Sequence, residues 1–198
     1  MGSTTKVITY EDSLRLPFNP LEEIFDGAPV TIPPASDRHY ALVECLADSL
    51  KSQLPRNSFR VVAGGVGLGI RRHGPQGLLY RIPDLMVLAV ETLARSREQR
   101  APEDPYIWAI PEFVAECLSP ANRKGSVARL LADYGQKGVR EVCLIDPQSP
   151  VVSCYAYDAR LRALNEVSRP QSAVIALESL PGVAIDTPAL WDAFDRGL

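Results

Sequence analysis

Histidine and cysteine are scarce in this chain of 198 residues, which holds two of the first and four of the second. Cys45, Cys117, Cys143 and Cys154 stand far apart, with no Cys-x-x-Cys pair and no histidine nearby. That spacing argues against a zinc module or a disulfide framework. Three of the four lie in apolar segments, where a thiol behaves as a small buried hydrophobe. No apolar run approaches the roughly 20 residues that span a bilayer. The polar start Met1-Gly-Ser-Thr-Thr-Lys6 lacks the apolar stretch of a secretory signal, so a cytoplasmic protein is expected. An excess of basic charge is missing too: 21 Lys and Arg against 24 Asp and Glu leave a net charge of −3. A nucleic-acid binder normally carries a basic footprint, although a bound metal supplies positive charge of its own. The glycines at 64, 65, 67 and 69 do not meet the Gly-x-Gly-x-x-Gly spacing of a nucleotide loop and read as bulges or close packing. Ser119 has no Gly-x-Ser-x-Gly context for a nucleophile.

The composition, 46% hydrophobic and 23% charged, is that of an ordinary soluble domain. The length suits one core, divided as a lead-in over 1–20 and a single domain over 21–198. Within the lead-in a short helix is expected around Tyr10–Leu16. Leu21–Gly27 reads as a strand entering a turn at Asp26-Gly27, with Ala28–Ile32 as the return. Pro33-Pro34 stops it, and Ser36 or Asp37 caps a helix from Arg38 to Gln53, whose Leu42, Val43, Leu46, Ala47 and Leu50 recur at helical spacing. Phe59–Arg72 reads as a bent strand or hairpin, and Tyr80–Val90 as an apolar strand. Glu91–Tyr106 is a polar surface connection, loop or short helix. Phe113–Leu118, a helix from Gly125 or Ser126 to Lys137, and Arg140–Ile145 form a crossover unit with parallel strands. Strands at Val151–Tyr157, Ala163–Val167 and Ala173–Leu177 and a helix at Pro188–Phe194 complete an α/β fold, a mixed sheet covered by helices.

Two carboxylates fall inside these apolar strands: Asp84 in Arg81-Ile-Pro-Asp84, and Glu116 in Pro111-Glu-Phe-Val-Ala-Glu-Cys-Leu-Ser-Pro120. A carboxylate there is costly to bury without compensation, and a hard divalent cation with oxygen ligands is one compensator. Side chains alternate along a strand, so Glu112 and Glu116 share a face but stand about 13 Å apart. Glu116 therefore needs a partner from a neighbouring strand, and Asp84 is the natural one. Such a pair suits metal-assisted hydrolysis of a phosphodiester. The blander reading has Asp84 capping a turn and Glu116 paired with an arginine.

At these residues the chain resembles the Uma-type endonucleases, a branch of the PD-(D/E)XK restriction-endonuclease-like superfamily. The similarity runs from about residue 20 to 194. It rests on Leu21–Gly27, Pro33–His39, Arg81–Asp84, Pro111–Pro120, Tyr134, Gly138–Glu141, Leu144–Pro147 and the Leu180-Pro-Gly182 turn. The resemblance implies a restriction-endonuclease-like fold and a Mg²⁺ or Mn²⁺ site at Asp84 and Glu116, with Glu23 as an auxiliary acid. It also implies DNA as substrate and hydrolysis as the reaction. A homodimer would provide two sites for two strands.

One departure from that pattern bears on the chemistry. The superfamily lysine belongs two residues after the second acid, where this chain has Leu118; in this branch it commonly comes from the next helix, where this chain has Leu130. Lys124 and Arg129 are the substitutes at hand, although an arginine stays protonated and transfers no proton. A relative that binds nucleic acid or a protein without cleaving is the alternative. His39 reads as a capping or surface histidine, with a place lining the site as the other option. Tyr134 is expected to pack its ring on the sheet. Arg56, Arg60, Arg71, Arg72, Arg95, Arg97 and Arg100 read mainly as solvated surface, with phosphate contacts as the alternative.

Overall fold

Six strands rich in Val, Leu and Ile form the central sheet of a computed structural model that describes residues 7–118, 124–167 and 174–197. They are β3 (Phe59–Ala63), β6 (Leu85–Ala89), β7 (Phe113–Cys117), β8 (Glu141–Asp146), β9 (Val151–Asp158) and β10 (Ala163–Val167). Their spatial order is β10-β9-β8-β7-β6-β3. Only β7 and β8 are parallel, and they are joined by α4 (Lys124–Lys137), as a parallel pair requires a crossover. A smaller sheet has the order β2-β1-β5-β4, from β1 (Glu22–Phe25), β2 (Ala28–Thr31), β4 (Leu68–Arg71) and β5 (Leu79–Arg81). Strands β11 (Val174–Ala176) and β12 (Ala184–Asp186) pair with each other.

The period of two in the central strands splits the core into two layers. Leu85, Val87, Phe113, Ala115, Cys143 and Ile145 face α2 (Asp37–Gln53) and α5 (Thr187–Arg196). Met86, Leu88, Val114, Val142 and Leu144 face α4, whose Leu130 and Tyr134 are buried against them. The predicted apolar stripe of α2 is the buried one, and its N-cap is Ser36, whose side chain accepts from the His39 N–H. The short α1 (Tyr10–Ser13) buries Tyr10 beside Tyr80 and Tyr106. The turn expected at Asp26-Gly27 has φ of 48° and 75°, the left-handed pair that a two-residue hairpin needs. The polar connection after β6 is partly helical, as α3 (Val90–Glu98).

Two expectations about strands are corrected. Phe59–Arg72 is neither one bent strand nor a hairpin, because β3 pairs with β6 and β4 with β5, in different sheets. The double glycine 64–65, with φ of 58° and 64°, turns the chain between them. Tyr80–Val90 is likewise divided: β5 and β6 belong to separate sheets, and Val90 begins α3.

Candidate functional site

The division of that apolar stretch creates the position of Asp84. Pro83 has no N–H to give a ladder and holds Ile82 away from helical backbone, so the chain leaves the small sheet and enters the large one just before β6. Asp84 stands at that entry. Its Oδ2 accepts from the backbone N–H of Cys117 at 2.8 Å. Its Oδ1 lies 3.0 Å from Nε2 of His39, in the first turn of α2. That contact raises the His39 pKa against the lowering effect of burial. His39 is therefore a half-buried partner of Asp84 and not a free surface residue.

Strands β6 and β7 are antiparallel, with Leu85 opposite Ala115. Asp84 thus comes beside the end of β7 that carries Glu116, its side chain turned to His39 of α2 and to the Cys117 N–H. Glu116 points into the layer covered by α4 and accepts a hydrogen bond from the Tyr134 hydroxyl. Burial pushes its carboxyl well above the usual range, and the negative charge of Asp84 adds to the shift, while the Tyr134 bond opposes it. Burial and the charge of Glu116 in turn hold the Tyr134 phenol well above its ordinary value. Tyr134 does pack its ring on the sheet, but the hydroxyl has the greater consequence. Helical periodicity could not give that, since it depends on what α4 meets.

Glu23 is held by a second network. Its Oε2 pairs with Nη1 of Arg81 at 3.0 Å, and its Oε1 accepts from the Ile82 N–H at 2.8 Å. Burial raises the Glu23 pKa, with Arg81 opposing. Arg81 is itself buried, donates to Asp133 through Nε and Nη2, and stacks 3.8 Å from the Phe25 ring centroid. Asp133 escaped the sequence reading. The available signal was an acid three residues after Leu130 and adjacent to Tyr134, on the inward side of a helix. Glu112, the other acid of β7, is paired with Arg140 at 3.0 Å.

The basic candidates are placed differently. Arg129 pairs with Asp26 at 2.7 Å and lies 5.1 Å from the Phe25 ring centroid. Lys124 opens α4, but its side chain lies outside the described residues. Leu130 and Leu118, at the two expected lysine positions, both pack with the α4-side core. The ligand atoms of Glu23, Asp84 and Glu116 do not all come within 4.8 Å of one another. Among the described residues the one trio of potential ligands that does is Glu141, Cys143 and Cys154. These are buried on the opposite face of the sheet, where Cys143 and Cys154 meet as cross-strand partners at 2.7 Å between sulfurs. The Asp84–Glu116 pair offers oxygen donors suited to a hard cation. The burial and mutual repulsion that raise Glu116 are what a cation between the two acids would relieve.

No curated protein matches the sequence. Among solved structures, the fold is similar to "a putative nuclease belonging to DUF820" from Anabaena variabilis ATCC 29413. The two share 18% identity with a TM-score of 0.72, over 94% of this chain and 98% of the other. That likeness supports the restriction-endonuclease-like fold. The profile of the Uma2 family, described as "Putative restriction endonuclease", matches residues 10–188. With the profile running through both sheets and every acid of the site, this chain belongs to the Uma2 family of restriction-endonuclease-like proteins.

Proposed function

We propose that the protein is a metal-dependent endonuclease that hydrolyses DNA phosphodiester bonds, with Asp84 and Glu116 holding Mg²⁺ or Mn²⁺. The observation that carries this reading is the adjacency of two acids at neighbouring strands: Asp84 accepts from the N–H of Cys117, the residue that follows Glu116, and such a pair offers oxygen ligands to a hard cation. When bound, the cation supplies Lewis acidity at the phosphate and a lower pKa for water. The chain's own residues set the geometry. Cys117 N–H and His39 fix the two oxygens of Asp84, and Tyr134 fixes one oxygen of Glu116. Arg81 holds Glu23 and Asp133, and its positive charge favours an ionised Glu116. Glu23 is the supporting acid. Lys124 or Arg129 stands in for the usual lysine, Lys124 being the one of the two that can also release a proton. A homodimer would place two such sites on a duplex.

One observation favours a second reading, a nuclease fold that binds nucleic acid or a protein and no longer cleaves. Leucines fill both expected lysine positions, and Arg129 is already engaged by Asp26. Incubation of supercoiled plasmid with the protein and Mn²⁺ separates the two. Nicking that disappears in Glu116→Gln is the expected result. Plasmid binding without nicking at any Mn²⁺ concentration would overturn hydrolysis and leave the binding reading.

A further inference from the structure

A cavity of about 390 Å³ opens at the other end of the central sheet, between the flank of α3 and the segment that leads into β7. Asp84 precedes β6 and α3 follows it, so the five-residue strand sets the two places about 16 Å apart. Thr92, Arg95, Ser96 and Gln99 line the α3 side. Their spacing of i, i+3, i+4 and i+7 makes a single stripe. Thr92 and Ser96 are half-buried and Arg95 and Gln99 exposed, so the stripe offers hydroxyls, an amide and a guanidinium to the cavity.

The facing wall is built around Arg72 and Trp108. Arg72 lies 4.4 Å from the Trp108 ring centroid and 4.7 Å from that of Tyr10. Trp108 is fixed in turn: a Cβ at Gly69 would meet its Cε3 at 2.5 Å and its Cη2 at 2.6 Å. Buried Asp104 lies 3.4 Å from Arg72 but is shared, accepting from the Tyr10 hydroxyl at 2.6 Å and the Trp108 indole at 2.7 Å. Nε of Arg72 is buried and has no hydrogen-bond partner, an expensive state for a charged donor. Behind Trp108, Lys137 donates to the Trp108 carbonyl at 2.8 Å. Burial and the charge of Arg72 bring the Lys137 pKa down to about 8. Glu91 reaches Arg95 only at 3.7 Å, with both side chains mostly in solvent, a weak pair. No carboxylate among the described residues lines the cavity.

We propose that this cavity is a phosphate-binding site in which Arg72 and Arg95 supply the charge and Thr92, Ser96 and Gln99 the neutral donors. Planar guanidinium groups suit phosphate oxygens, and stacking on Trp108 holds Arg72 ready before a ligand arrives. The cavity exceeds one phosphate group in size, so the oxyanion is carried on a larger molecule: a polynucleotide backbone or a free mononucleotide. The site does not depend on the Asp84–Glu116 reading, and its test runs without divalent cation.

The full chain in EDTA is titrated into a fluorescein-labelled 20-mer duplex by anisotropy at several salt concentrations, and adenosine monophosphate is titrated into the chain by calorimetry. The variants are Arg95→Gln and Gln99→Ala, both exposed and expected to fold, and Arg72→Gln, whose thermal midpoint is recorded beside its binding. Duplex binding that weakens about tenfold in Arg95→Gln, with a salt slope lower by about one, supports the site with a polynucleotide as ligand. Mononucleotide binding lost in Arg95→Gln, with duplex binding unchanged, supports the site with a free nucleotide as ligand. Wild-type affinities for both probes in Arg95→Gln and Gln99→Ala, or no binding of either probe by the wild type, overturn it.

Discussion

The backbone N–H of Cys117 donates to Oδ2 of Asp84 at 2.8 Å, tying the acid that opens β6 to the last residue of β7, next to Glu116. That bond fixes the Asp84 carboxylate to the β7 backbone, while the Tyr134 hydroxyl holds the Glu116 carboxylate. Burial first, and the charge of Asp84 second, set the protonation of Glu116.

The raised pKa of Glu116 sets a pH dependence of stability. Between its ordinary value of 4.5 and its higher folded value, the native state keeps a proton that the unfolded chain has released. Stability from this group is present in full at low pH and falls as pH rises through that window. In Glu116→Gln the fall from this group is removed. Urea denaturation from pH 4 to 8 should show the variant gaining on the wild type as pH increases; parallel profiles would contradict the assignment.

Mn²⁺ should raise the thermal midpoint of the wild type, because a ligand that binds only the native state stabilises it by mass action. Asp84→Asn and Glu116→Gln should each weaken Mn²⁺ at least about tenfold, the cost of losing one charged oxygen ligand being more than about 1.4 kcal/mol. Calorimetry at pH 7.5 checks this, and unchanged affinity in both variants would remove the pair as ligands.

Arg81→Met leaves Glu23 and Asp133 without their shared cation. Removing one member of a buried ionic network costs about 3–5 kcal/mol, which chemical denaturation would register. Combining the change with Asp133→Asn, which removes one of the stranded charges, should recover part of the loss. An Arg81→Met loss below about 1 kcal/mol would mean that the network is not holding the small sheet to α4.

Tyr134→Phe deletes the hydroxyl that donates to Glu116 while keeping the ring. The cost should be about 1–3 kcal/mol for the unsatisfied buried acceptor. Since that bond lowers the Glu116 pKa, its loss should drive the carboxyl still higher. Carbon-detected NMR titration of Glu116 reads the shift directly, and a downward movement would contradict it.

Periodicity was sufficient for α2, for β7–α4–β8 and for the Asp26-Gly27 turn, because each is dictated within one stretch of chain by spacing, caps or the left-handed backbone. Asp84 and Glu116 were also legible, as charges in apolar strands. Their surroundings were not. Asp133 and the Tyr134 hydroxyl matter through what α4 covers, and His39 through where α2 begins over the sheet. The division of the 80–90 stretch between two sheets left no mark in its hydrophobicity, since both halves are equally apolar.

The sequence by itself determined the helices, the Asp26-Gly27 turn, the β7–α4–β8 unit and the family resemblance, all of which rest on patterns read along the chain. The tertiary structure alone decided that Asp84 meets His39 and the Cys117 N–H, that Arg81 bridges Glu23 and Asp133, and that Arg72 and Arg95 share a cavity. Electrostatic and hydrogen-bonding partnerships act over a few ångströms of space, and residues far apart in the chain come that close only when strand register and helix packing bring them there.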